Sequence, residues 1–226
     1  MSLAPPDNAM RVSAPRAFLL YMAATACAGP EPSEPLQPLR PALTAPIEAV
    51  DLDPDPGVVE VHLAATEAQV DYRGDGREAS VLAYRDLGRP GSAASVPGPL
   101  IVVPVGALLQ VRFTNEMRER TTTIHWHGIL LPNGMDGVGG LTQPQIGVGK
   151  TFVYEFEMRK SGTFMYHPHA DEMTQMAMGM MGAIVVHPRD PALHVVDRDY
   201  VFLINAYDID PGSYTPRVNT MTEFNL

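Results

Sequence analysis

One cysteine, Cys27, stands in the whole chain, so no internal disulfide can brace the fold. Positive charge is also scarce: 16 Lys and Arg face 26 Asp and Glu, a formal net charge of −10. That balance removes the basic footprint a nucleic-acid-binding domain needs, and it bears on solubility more than on chemistry. Long apolar runs are missing too. The run from Ala17 to Ala26 is too short to span a bilayer. No internal repeat or heptad pattern interrupts the chain. What is abundant is proline (22) with glycine (19), which favours turns and short strands over long helices. With 45% hydrophobic and 19% charged residues the chain has an ordinary globular composition, and 226 residues hold one large domain or one and a half smaller ones.

Arg11 and Arg16 precede the Ala17–Ala26 run, the layout of a basic region and a short apolar region in an export signal. Ala24-Thr25-Ala26-Cys27 resembles a loose lipobox, and Met10 is an alternative start that would tidy the basic region. A plain secretion signal cut near Ala28, or an unordered leader, fits the same letters. Residues 1–27 are therefore expected to be a leader. The protein is expected to be exported, either periplasmic or lipid-anchored to a bacterial cell envelope. Residues 28–57 carry eight prolines, from Pro30 to Pro56, and read as an extended tether.

From Val58 the pattern changes to short strands. Val58–Val70 and Leu100–Val105 are candidates. Leu109, Val111 and Phe113 alternate with Gln110 and Arg112, and Phe152, Tyr154 and Phe156 alternate with Val153 and Glu155. Thr163–Tyr166 and Ala183–Val186 complete a set of seven or so, separated by Gly, Pro and Asn, which predicts an all-β sandwich over residues 58–195. After Pro188 and Pro191 a new apolar strand, Tyr200–Ile204, is expected to open a second domain over residues 196–226.

Four of the seven histidines form two pairs, His125-Trp126-His127 and His167-Pro168-His169. On a strand, residues i and i+2 share a face roughly 7 Å apart, so each pair can hold one metal or two adjacent ones. Neutral imidazole suits copper, zinc, iron and nickel. One such pair is as well explained by solvated or core-bonded histidines. Two pairs in one β-rich domain leave chance little room. Trp126, between two ligands, is expected to point the other way, into the sandwich. Pro168 cannot donate to a sheet ladder and belongs at an edge or bulge. His62, His187 and His194 have no partner pattern and read as structural or exposed.

After the second pair, Ala170 to Gly182 reads as a short helix, with Met173, Met176 and Met180 at i, i+3 and i+7 on one face. Methionine sulfur suits Cu(I), but core filling is the plainer reading.

The runs Thr121-Thr122-Thr123-Ile124-His125-Trp126-His127-Gly128, Asn133-Gly134-Met135-Asp136-Gly137 and Gly162-Thr163-Phe164-Met165-Tyr166-His167-Pro168-His169 resemble the first cupredoxin domain of multicopper oxidases. That family includes laccases and copper-resistance oxidases. The resemblance spans roughly residues 58 to 190, and the remainder is similar to the entry of a second cupredoxin domain. It implies a cupredoxin-like Greek-key β-sandwich. It also implies a copper cluster that couples one-electron oxidation of a reducing substrate to four-electron reduction of O₂. By this likeness His125 would bind the type 2 copper, His127, His167 and His169 would bind the type 3 pair, and Asp136 would help move protons. A simple turn residue is the other reading of Asp136. The family also uses later histidine motifs, one of them a His-Cys-His at the type 1 copper. This sequence has none, so the chain is expected to need a further cupredoxin domain and to be inactive alone.

Two other functions remain open at this point. A cupin-type mononuclear metal enzyme would use His167, His169 and Glu172, one residue short of that motif's spacing, and leaves His125 and His127 unexplained. A non-catalytic exported copper-binding cupredoxin fits without a type 1 cysteine. A reading frame continuing past Leu226 into His-x-x-His-x-His and His-Cys-His would favour the oxidase.

Overall fold

The computed structural model describes residues 47–205 apart from 72–75 and 77. The expected leader with Cys27, the linker up to residue 46 and residues 206–226 lie outside the described residues.

Eight strands form: β1 (Val58–Val70), β2 (Ala79–Asp86), β3 (Ile101–Pro104), β4 (Leu108–Asn115), β5 (His125–His127), β6 (Thr151–Glu157), β7 (Gly162–His167) and β8 (Gly182–His187). One short helix, α1 (Glu172–Ala177), joins β7 to β8. The period-two pattern in the sequence becomes burial. Leu109, Val111 and Phe113 of β4 are fully buried, as are Tyr154 and nearly so Phe156 of β6, while Arg112 and Glu155 face outward.

Two mixed four-stranded sheets result, in the orders β2-β1-β4-β6 and β3-β8-β7-β5. The pairs β1–β4 and β3–β8 are parallel and the rest antiparallel, the Greek-key sandwich implied by the resemblance. The core between the sheets draws on Leu63, Tyr84, Phe113, Trp126, Tyr154 and Tyr166.

Strand β2 carries no alternation in its sequence. Val81, Leu82, Ala83 and Tyr84 are all buried because the outer edge is covered. The Leu82 N–H donates to the Met178 carbonyl (3.0 Å), and the Ser95 N–H donates to the Tyr84 carbonyl (2.9 Å). A covered edge lets a strand be apolar on both faces.

The tether expected over residues 28–57 does not extend to its last third. Ala49 N–H donates to the Leu100 carbonyl, Leu100 N–H donates to the Ile47 carbonyl, and Val50 N–H donates to the Asp86 carboxylate. Ala49 packs on the core. Proline content misled here because these residues need only a few backbone bonds to dock on a sheet end.

The strand expected over Tyr200–Ile204 does not form. Tyr200, Phe202 and Ile204 are 62%, 80% and 94% exposed while Val201 and Leu203 are half-buried, so one face is partly covered, but among the described residues no ladder forms with a neighbouring strand. No helix among the described residues is long and apolar enough to cross a membrane.

Candidate metal centre

The two histidine pairs meet because β5 and β7 are antiparallel neighbours. His125 stands opposite His167, Trp126 opposite Tyr166, and His127 opposite Met165. Alternation then sorts the faces. Trp126 turns inward, fully buried, with ring centres 5.2 Å from Tyr154 and 5.3 Å from Phe156. The histidines turn the other way. Strand β5 is held at its entry by the Ile124 N–H, which donates to the buried Tyr154 hydroxyl (2.9 Å). Burial pushes that hydroxyl above the usual tyrosine range, so it stays neutral.

Pro168 follows the last residue of β7, where a missing N–H costs no ladder bond. The His169 N–H donates to the Thr123 hydroxyl (3.1 Å), which folds the second pair back over the approach to β5. Buried Gln175 of α1 closes the same region. Its amide nitrogen donates to the Thr121 carbonyl (2.9 Å), and its amide oxygen accepts from the Thr122 hydroxyl (2.8 Å).

The His125 ring centre lies 5.7 Å from that of His127, 5.3 Å from that of His167 and 5.3 Å from that of His169. His127 and His167 are 5.5 Å apart, and His167 and His169 are 6.4 Å apart. All four rings converge. Three of them, His125, His127 and His167, each offer a ligand atom within 4.8 Å of the others.

Hydrogen bonds decide which nitrogens are free. His125 Nδ1 donates to the Asp136 carbonyl (2.7 Å), and His167 Nδ1 donates to the Pro168 carbonyl (2.9 Å). A carbonyl only accepts, so each proton sits on Nδ1 and each Nε2 keeps its lone pair. His167 Nε2 lies 3.2 Å from His127 Nδ1. Two donors each about 2.0–2.1 Å from one ion, at near-tetrahedral angles, must be separated by roughly that distance. The donor set therefore fits a cation between them. Burial holds the His167 imidazole below the usual histidine range, and neighbouring His125 and His127 push the same way against the Pro168 bond and Glu172. A neutral imidazole is the form a metal requires.

Asp136 ends a 3₁₀ turn at Asn133–Met135, and its carboxylate Oδ1 stands 3.4 Å from His125 Nδ1. The chain can reach that position only through Gly137. It has φ of +79°, and an added Cβ would stand 1.7 Å from the Ile124 carbonyl oxygen.

His169 sits at the side of the group. Its Nε2 is 3.4 Å from Glu172 Oε2, and the other carboxylate oxygen is 3.7 Å from His167 Nδ1. Glu172, named in the sequence only for the cupin-type alternative, stands beside this second pair. His62 bonds to Glu60 (2.7 Å) on β1, and neither it nor His187 joins the group. The shared methionine face does not form. Helix α1 ends at Ala177, Met173 is 59% exposed, and Met180 lies beyond the helix, wholly in the core.

Residues 90–191 match the family model described as multicopper oxidase. The copper resistance protein A homolog of Pseudomonas syringae pv. tomato is 31% identical over 166 residues, 73% of this chain and 26% of that protein. A multi-copper oxidase from Pseudomonas thermotolerans superposes with a TM-score of 0.53 at 32% identity, over 64% of this chain and 31% of that one. A metallo-oxidase of the multicopper type from Campylobacter jejuni gives 0.58 at 27% identity, over 67% of this chain and 30% of that one. The chain thus spans between 26% and 31% of the length of these relatives.

Proposed function

The chain belongs to the multicopper oxidase family, and we propose that residues 58–195 are the N-terminal cupredoxin domain of a copper-dependent oxidase. In this reading His125, His127, His167 and His169 hold part of a trinuclear copper cluster. One observation carries it: antiparallel pairing of β5 with β7 gathers both pairs on one face, with a 3.2 Å gap between His127 Nδ1 and His167 Nε2.

Copper, when bound, supplies one-electron steps between a reducing substrate and O₂. The chain's own residues do the rest. The Asp136 and Pro168 carbonyls orient His125 and His167 so that each presents Nε2 to the metal. Burial around His167 keeps the imidazole neutral and excludes water from one side of the site. Asp136, half-exposed beside His125, can accept a proton from solvent and pass it on. The remaining ligands and the electron-accepting type 1 copper come, in this reading, from further cupredoxin domains of the assembled enzyme. The cupin-type reading is weaker, because the His167 nitrogen beside Glu172 is already committed to Pro168, while His125 and His127 join the same group. Export, with or without a lipid on Cys27, is part of the proposal.

Copper loading and oxygen uptake test it. The chain of 226 residues is expected to take up copper through the four histidines and to consume no O₂ with a phenol or Cu(I) as reductant. Laccase-like turnover by this chain alone would contradict the proposed division of labour.

Asp136 gives a separate prediction. Asp136→Asn keeps the carbonyl that orients His125, so copper content should hold while turnover of the assembled enzyme falls by about a hundredfold. Metal analysis beside steady-state kinetics distinguishes the cases. Equal losses of both would make Asp136 an orienting residue for His125, and unchanged turnover would make it a turn residue only.

A further inference from the structure

Gln175 is only 1% exposed, a buried amide in a helix of six residues. Its partners fix which way the amide faces. The Thr121 carbonyl can only accept, so the nitrogen stands toward it (2.9 Å), and the oxygen is left to accept from the Thr122 hydroxyl (2.8 Å). Thr123, the next residue, accepts from the His169 N–H (3.1 Å). These bonds close a circuit: from Thr123 to His169, along the chain to Gln175, and back across to Thr122. His169 is one corner of it. The other three histidines depend on this circuit far less, because the β5–β7 ladder sets their spacing. His169 lies past the end of β7 and outside their compact group. The far end of α1 is secured separately, where the Leu82 N–H donates to the Met178 carbonyl (3.0 Å) and Met178 and Met180 enter the core. At the near end, the half-exposed Arg120–Asp171 ion pair (3.4 Å) contributes little. The buried amide therefore aligns the start of α1, and with it His169, on the strip that leads into β5.

We propose that Gln175 is a positioning residue for His169, fixing where that imidazole stands relative to His125, whose ring centre is 5.3 Å away. This inference rests on the copper reading above. Glutamine is the side chain the place demands. A glutamate offers the Thr121 carbonyl no donor, an asparagine is one methylene too short to keep both bonds, and a methionine makes neither.

The test is a double-mutant cycle on the full chain, with Cu(II) titrated against a chelating competitor and the denaturation midpoint measured beside it. His169→Asn identifies the copper site that this circuit serves. Gln175→Met is expected to weaken that site by roughly tenfold or more and to leave the site between His127 and His167 within about twofold of wild type. In the His169→Asn background Gln175→Met should change copper binding no further, although it lowers the midpoint in both backgrounds. Gln175→Asn should weaken the same site, and it carries the comparison if Gln175→Met does not fold. Equal weakening of both sites, or an equal effect in both backgrounds, would make Gln175 a residue of general stability and overturn the inference. An unchanged His169 site in a folded variant, or failure of both Gln175 variants to fold, overturns it as well. Copper binding that His169→Asn leaves unaltered overturns this inference alone, whereas a wild-type chain that takes up no copper overturns the copper reading with it.

Discussion

Trp126→Ala is expected to lose about 3–5 kcal/mol of stability, the cost of emptying a large aromatic site in a close-packed core. Trp126 is fully buried and edge-on to both Tyr154 and Phe156, with Tyr166 opposite it across β5 and β7. Both neighbours of Trp126 in sequence are candidate ligands, so a shift of β5 moves His125 and His127 as well. Copper uptake should therefore weaken together with the denaturation midpoint. Trp126→Phe should be milder. It keeps an apolar ring and removes the indole N–H, which is buried with no hydrogen-bond partner among the described residues. A loss below about 1 kcal/mol for Trp126→Ala would mean that the tryptophan does not organise the face it separates from the histidines.

His167→Asn should lower copper affinity by a hundredfold or more, since even outer-shell partners of a metal ligand are worth about 10–100-fold. The reason is position. His167 is only 2% exposed, lies across the sheet from His125, and shares the 3.2 Å gap with His127. His127→Asn provides a check that does not disturb the core, because His127 is exposed, and it should reduce affinity comparably. His62→Asn should change nothing, since that ring is occupied with Glu60 on β1. Competition titration of the three variants reads the difference. Similar affinities for all three would place the metal somewhere other than between β5 and β7.

These expectations use features that were legible in the sequence to different degrees. Alternation in β4 and β6 translated directly into burial, because each strand is covered on one face only. The two His-x-His pairs announced a metal site through spacing alone, and Trp126 between two ligands had nowhere to point but inward. Strand β2 was silent because a strand buried on both faces has no period to read. Tyr200–Ile204 looked like a strand by composition, yet a strand also needs a hydrogen-bonded ladder, and among the described residues it makes none. Met180 was counted onto a helix that stops three residues earlier, so the shared face was a boundary error, while its core-filling reading holds. Glu172 was visible only as part of a misspaced motif. Its place beside His169 depends on how the chain turns after Pro168, which is a tertiary fact. The same holds for Gln175, whose two bonds across more than fifty residues leave no local trace.

Both histidine pairs are proposed to serve one copper-binding face. The most direct test is a crystal structure of the copper-loaded chain, with anomalous difference density collected at the copper absorption edge. A peak is expected between His127 Nδ1 and His167 Nε2, about 2 Å from each, with any further copper beside His125 or His169. Copper bound at His62 or His187, with the β5–β7 face free of density, would contradict it.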